Sequence, residues 1–189
     1  MSERDAVCVI IPTYNNASSI LRVVEQAMEY SAHLIVVCDG STDNTLELLE
    51  TLPNKPDIIA YKKNRGKGFA LSRAFAYAQK KGYHHAITID ADGQHYADEI
   101  PRFIQSMEEH PGAVIVGSRS LKQENMPMEN TFANRFSNFW FTLQTFSRLP
   151  DTQTGYRLYP LCRMQKMRLF TTRYETELEI LVRLAWRGV

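Results

Sequence analysis

Residues 85–101 read HAITIDADGQHYADEIP, an alternating apolar run that ends on two carboxylates one residue apart, Asp90 and Asp92, before a helical pattern begins. Two like charges this close cost free energy unless a cation or a hydrogen-bond network neutralises them. A strand that stops on such a pair and hands over to a helix is the unit of an open parallel sheet, where ligands bind outside the carboxyl ends of the strands. The same unit recurs on both sides of it. Short apolar, β-branched runs at 6–12 (AVCVIIP), 33–39 (HLIVVCD), 57–63 (DIIAYKK) and 113–119 (AVIVGSR) read as strands. Between them, 18–30, 44–52, 67–82 and 97–110 space their apolar residues by three and four, which predicts helices. The alternation predicts an α/β fold, a Rossmann-like mainly parallel sheet with helices on both faces.

The 189 residues, 44% apolar and 23% charged, suit one globular domain over 1–189. The 22 basic against 21 acidic residues give a net charge of +1, so no global field draws in nucleic acid, and any polyanion must be held locally. Cys8, Cys38 and Cys162 form no paired motif and read as reduced thiols of a cytoplasmic protein. The first residues, MSERDAVCV, have no signal-peptide core, and no run of about 18 apolar residues predicts a membrane span. The last residues, LEILVRLAWRGV, stop directly after a helical pattern, so a truncated C-terminus is expected.

The rim of strand ends collects the chemistry. Pro12, Tyr14 and Asn16 follow the first strand, and Asp39 the second. Asn64, Arg65, Gly66, Lys67 and Gly68 follow the third, Asp90, Asp92 and Gln94 the fourth, and Ser118 and Arg119 the fifth. Asp90 and Asp92, at i and i+2 of an extended chain and beside Gln94, can meet one hard divalent cation. The alternative for Asp92-Gly93 is a plain turn. NRGKG matches neither a Walker loop nor G-x-G-x-x-G. Its glycines still let amides approach an anion, and Arg65 and Lys67 can neutralise phosphate at a helix start. Asp39 can accept from a base or a ribose hydroxyl, or serve only a turn. Asp43 is read mainly as capping the helix after it.

VIIPTYNN, VVCDGSTDNT, NRGKGFALSRAF, TIDADGQH and VGSR, in that order, resemble the motif series of the family 2 glycosyltransferases with the GT-A fold. DTQTGYRLYP at 151–160 and YETELEILVRLAWRGV at 174–189 are most similar to the polyprenyl-phosphate, dolichyl-phosphate mannose synthase-like branch. The resemblance implies a metal-dependent inverting transfer of a sugar from a UDP- or GDP-sugar to an acceptor, a lipid phosphate or else a hydroxyl of a glycan. Carried over, Pro12, Tyr14 and Asp39 hold base and ribose, while Arg65, Lys67 and Asp90 lie at the nucleotide. Asp90, Asp92 and Gln94 hold Mg²⁺ or Mn²⁺, and Arg119 faces the diphosphate or the acceptor phosphate. Relatives often carry Glu where this chain has Asn16.

A hydroxyl acceptor needs a general base, for which Asp151 is the candidate; a phosphate monoester, with a second pKa of about 6, does not. Phe132, Phe136, Phe139, Trp140, Leu143 and Phe146 form a stripe with Phe141 off it, suiting either the protein's own core or a helix lying on a membrane at its cytoplasmic face. Arg135 beside that stripe, and Arg157 in the TGYR turn, are candidates for binding acceptor phosphate. A nucleotide-sugar-binding module without transfer activity is the reading from another class; the intact Asp90, Asp92 and Arg119 argue against it. A phosphatase with an aspartyl nucleophile is disfavoured because its acidic pair should follow the first strand. The lack of G-x-G-x-x-G after strand one disfavours a dinucleotide-dependent oxidoreductase.

Overall fold

The structure, a computed structural model, describes residues 6–93, 96–117, 128–149 and 151–189, with side chains from 136 onward in the third stretch. Gln94, Ser118 and Arg119 lie outside the described residues, as do the side chains of Phe132 and Arg135.

The chain runs β1 (Val7–Thr13), α1 (Ile20–Met28), β2 (Leu34–Asp39), α2 (Thr45–Glu50), β3 (Asp57–Tyr61), α3 (Lys67–Lys80) and β4 (His85–Thr88). It continues through a 3-10 turn (Ala97–Glu99), α4 (Ile100–Glu109), β5 (Ile115–Val116), α5 (Met128–Thr145), β6 (Arg157–Pro160), α6 (Leu161–Met164) and α7 (Glu175–Ala185). One six-stranded sheet has the order β3-β2-β1-β4-β6-β5. β3, β2, β1 and β4 pair in parallel, with Ile11 beside Val36 and Val9 beside Ile87.

The far end of the sheet departs from the sequence reading. The run at 113–119 contributes a two-residue strand, and it does not pair with β4. β6 is inserted between them and is antiparallel to both, Ile87 facing Leu158 and Val116 facing Arg157. The sheet is therefore mixed, with five strands in one direction and β6 in the other. The partner of a strand is a long-range choice that no local pattern encodes.

Alternation along β1 divides the core in two. Val7, Val9 and Ile11 pack with Val23, Val24 and Ala27 of α1 and with Ile100, Phe103 and Met107 of α4 on one face. Cys8 and Ile10 pack with Ala70, Leu71, Ala74 and Phe75 of α3 and with Ile180 and Leu184 of α7 on the other. Both faces are covered, so these strands read as unbroken apolar runs, and each fully buried large side chain contributes about 1.5–3 kcal/mol. Burial pushes the Cys8 thiol up to about 12, which makes it an inert core residue.

Candidate functional site

Four parallel strands delivering their carboxyl ends to one edge produce a cavity of about 440 Å³ there. Pro12 and Tyr14 line it from the end of β1, Asp39 from β2, Lys67 from the head of α3, and Asp90 and Asp92 from the turn after β4. These six share the cavity with Asn16, Asn64 and Gly66 of the same rim.

Each is held by local chemistry. Asn15 turns the chain after β1 with φ 55°, its side-chain oxygen accepting the Thr42 N–H at 2.7 Å. Asn16, the departure noted above, accepts from the Tyr14 N–H at 3.2 Å and the Thr13 hydroxyl at 3.1 Å, so an amide closes this turn. Asp39 is buried at 3% exposure, and its carboxylate accepts the backbone N–H groups of Arg65 (3.0 Å) and Gly66 (2.7 Å). It therefore shapes the NRGKG loop and lines the cavity as well. A Cβ at Gly40, where φ is +72°, would overlap the backbone of Lys63 and Asn64, so only glycine allows the two loops this close. Asp43, one residue before the N-cap Asn44 of α2, ties down Thr45 and Ala17, accepting the Thr45 N–H at 3.1 Å. The Thr45 hydroxyl, with these backbone donors, lowers its pKa.

The cavity floor is ionic. Lys67 Nζ lies 2.5 Å from Asp90 Oδ1 and 2.8 Å from Glu177 Oε2 of α7. Burial pulls the Lys67 pKa down, but the charges of Glu177 and then Asp90 outweigh it and hold the group firmly protonated. Asp90 also presses against Gly155, where a Cβ would overlap its carboxylate. Asp92 stands exposed one residue beyond buried Ala91.

Other candidates sit elsewhere. The Arg65 guanidinium stacks over Phe69 at 4.5 Å, leaving its backbone N–H as its contribution to the Asp39 cluster. Asp151 is fully buried and accepts the N–H groups of Gln153 (2.9 Å) and Thr154 (3.2 Å), forming the turn that starts the DTQTG segment. Arg157 is fully buried too; its terminal nitrogens donate to the carbonyls of Thr152 (2.7 Å) and Glu177 (2.8 Å) and to the Tyr159 hydroxyl (3.1 Å). Neither lines the cavity. Arg173, Tyr174 and Glu177 were not anticipated. The first two line the cavity and the third reaches it through Lys67.

Among the described residues no group of three or more His, Cys, Asp or Glu forms a ready metal cluster, and no helix is long and apolar enough to cross a membrane. α5 presents Phe136, Phe139, Trp140, Leu143 and, just past its end, Phe146 to solvent, while Phe141 packs inward on Leu181 and Val182.

Residues 8–169 match the glycosyl transferase family 2 profile. The UDP-N-acetylglucosamine–dolichyl-phosphate N-acetylglucosaminyltransferase of Methanococcus voltae is 30% identical over 197 residues, covering 93% of this chain and 78% of that protein. The polyprenol monophosphomannose synthase of Mycolicibacterium smegmatis is 28% identical over 161 residues, covering 80% and 60%. The crystal structure of S. aureus TarS 1–349 in complex with UDP superimposes with a TM-score of 0.62 at 18% identity, over 93% of this chain and 53% of that one. The chain is a glycosyltransferase that belongs to glycosyl transferase family 2, and its fold is GT-A.

Proposed function

We propose that the chain moves a sugar from a nucleoside diphosphate donor to a polyprenyl phosphate, inverting the anomeric carbon. The observation that carries this is the pairing of Lys67 with Asp90, beside Asp92, in the cavity of about 440 Å³ at the strand ends. Pro12 and Tyr14 flank the base, Asp39 faces the ribose, and Lys67 meets the diphosphate. The polyprenyl acceptor is supported by the names of the two enzyme relatives.

The acidic pair fits a hard divalent cation by its chemistry. Both residues offer carboxylate oxygens, and the chain already seats one cation, the Lys67 ammonium, on Asp90. Asp90 and Asp92 would hold Mg²⁺ or Mn²⁺, with Gln94 accessory, and the ion would neutralise charge developing on the leaving diphosphate. Arg119 is assigned to the same diphosphate or to the acceptor phosphate, and Arg135 to the acceptor. A phosphate monoester is already ionised near neutrality, so the transfer needs no general base. The commitment of Asp151 to its own turn supports that form of acceptor over a glycan hydroxyl. The exposed aromatic face of α5 would rest in the headgroup region at the cytoplasmic side of a membrane and bring the site to its lipid.

Thermal stabilisation by UDP, GDP and their sugar conjugates, with and without Mn²⁺, tests the donor half. One base series should raise the melting temperature in Mn²⁺ and not in EDTA. No shift with any of them would sink the reading.

A further inference from the structure

Four consecutive residues at the head of α3, Gly66 to Phe69, interlock with α7 and the segment leading into it. A Cβ on Gly66 would press on the Thr172 carbonyl, and one on Gly68 would overlap the Thr176 side chain. Between them Lys67 reaches Glu177, and the Phe69 N–H donates to the Thr172 carbonyl at 3.0 Å. The loop that follows β3 is thus built against α7, beyond the stretch matched by the family profile.

Glu177 is 6% exposed, and its Oε1 has no hydrogen-bond partner among the described residues. Its other oxygen shares the Lys67 ammonium with Asp90. The Lys67 ammonium contacts both carboxylates and buried Arg157 adds its charge near Glu177, yet one oxygen of this buried carboxylate keeps its acceptor capacity unused, which is costly for a purely structural arrangement. It becomes intelligible if the ammonium has two seats. Asp90 cannot hold an ammonium and a divalent cation against the same oxygen without strong like-charge repulsion. A lysine with Asp90 as its sole carboxylate would compete with the cation. A lysine already bonded to a second carboxylate can release Asp90 and remain neutralised.

Resting on the donor-site reading above, we propose that Glu177 is a positioning residue of that site: it is the second seat of Lys67, and it lets the ammonium leave Asp90 when the donor's diphosphate and divalent cation arrive. Glu177 acts through Lys67 and touches neither sugar nor phosphate.

The test is a double-mutant cycle on the whole chain. UDP, and GDP in parallel, is titrated by calorimetry at a series of Mn²⁺ concentrations into the wild type, Glu177→Gln, Lys67→Met and the double variant. Glu177→Gln should raise the Mn²⁺ concentration that half-saturates nucleotide binding by about tenfold, the scale on which groups behind a ligand tune metal affinity. In the Lys67→Met background the same substitution should change it less than about twofold, since there is no ammonium left to seat. If Glu177→Gln does not fold, Glu177→Asp replaces it in the cycle; it keeps the charge at shorter reach and should give a smaller loss that also vanishes without Lys67. Unchanged half-saturation, or an equal loss in both backgrounds, overturns the proposal while leaving the donor site intact. A wild-type chain that binds neither nucleotide in Mn²⁺ overturns both.

Discussion

The strand-end cavity and the outer face of α5 break the usual distribution of residues in opposite senses. In the cavity wall, charged groups are turned inward. Asp39 and Glu177 are buried, and Lys67 is enclosed by two carboxylates. On α5, large apolar groups are turned outward, with Phe136 56%, Phe139 60% and Phe146 92% exposed. Buried charges and contiguous exposed aromatics are the two informative exceptions in a folded chain, since each is costly until a partner completes it. The first asks for an anion with its counter-cation and the second for an apolar surface. A transfer between a soluble nucleotide sugar and a lipid phosphate would use both on one molecule.

The largest predicted effect tests the polar side. Asp92→Asn should reduce transfer by on the order of a hundredfold or more, and Mn²⁺-dependent nucleotide binding should disappear in calorimetry. Asp92 is exposed in the turn after β4, so the melting temperature should hold. Retained binding would remove the acidic pair from the donor site. Next comes Gly68→Ala. Its Cβ has no room beside Thr176, and overpacking of this kind costs about 1–3 kcal/mol. The melting temperature should drop, and nucleotide affinity should drop with it because the head of α3 carries Lys67. A loss of stability without any loss of affinity would show that the α3–α7 interlock serves the fold alone.

The apolar side gives a smaller effect. Replacing Phe136 and Trp140 together by Ser should weaken sedimentation with anionic vesicles by about tenfold or more, since each aromatic loses a sizeable buried area at the interface. Both are exposed, so stability should change by less than about 0.5 kcal/mol each. Undiminished vesicle binding would mean that this face is covered by something other than lipid.

How much of this was legible differs between the regions for a physical reason. Pro12, Tyr14, Asp39, Lys67, Asp90 and Asp92 could be collected from sequence because parallel strands must deliver their ends to one edge, wherever the strands fall in order. The insertion of β6 between β4 and β5 could not, since strand pairing across 70 residues leaves no local trace. The engagement of Asp151 and Arg157 in their own turn was not legible, because the residue types that form an Asx turn or satisfy buried carbonyls are also those that act as a base or bind phosphate. Glu177 did leave a signal. It falls on the stripe Glu177, Ile180, Leu181, Leu184, and a carboxylate on the apolar face of a helix needs a buried cation. On α5 the stripe was visible and its direction was not; the off-stripe Phe141 is the residue that packs inward.

The smallest effect probes how the cavity wall is fastened. Glu179 accepts the N–H of Phe170 at 3.0 Å, the N–H and hydroxyl of Thr171 at 2.9 and 2.6 Å, and the Nε–H of Arg183 at 2.7 Å. It thereby straps down the segment that carries Thr172, Arg173 and Tyr174. Burial alone would raise its pKa, but the Thr171 hydroxyl, the two backbone donors and Arg183 outweigh it and hold the carboxyl at about 2 against an ordinary 4.5. A depressed carboxyl contributes stability that is fully present above the unfolded value and is lost as pH falls from about 4.5 toward 2. Glu179→Gln should therefore be destabilised by on the order of 2 kcal/mol at pH 7, and the gap to the wild type should close between about pH 5 and pH 2. The difference between the two denaturation curves isolates this carboxyl from the others that titrate in the same range, Asp43 among them. A gap that stayed constant with pH would mean that Glu179 holds the strap by shape and hydrogen bonding rather than by charge. The donor wall would then be fastened by contacts that acid leaves intact, and only the Lys67 pair would make it electrostatic.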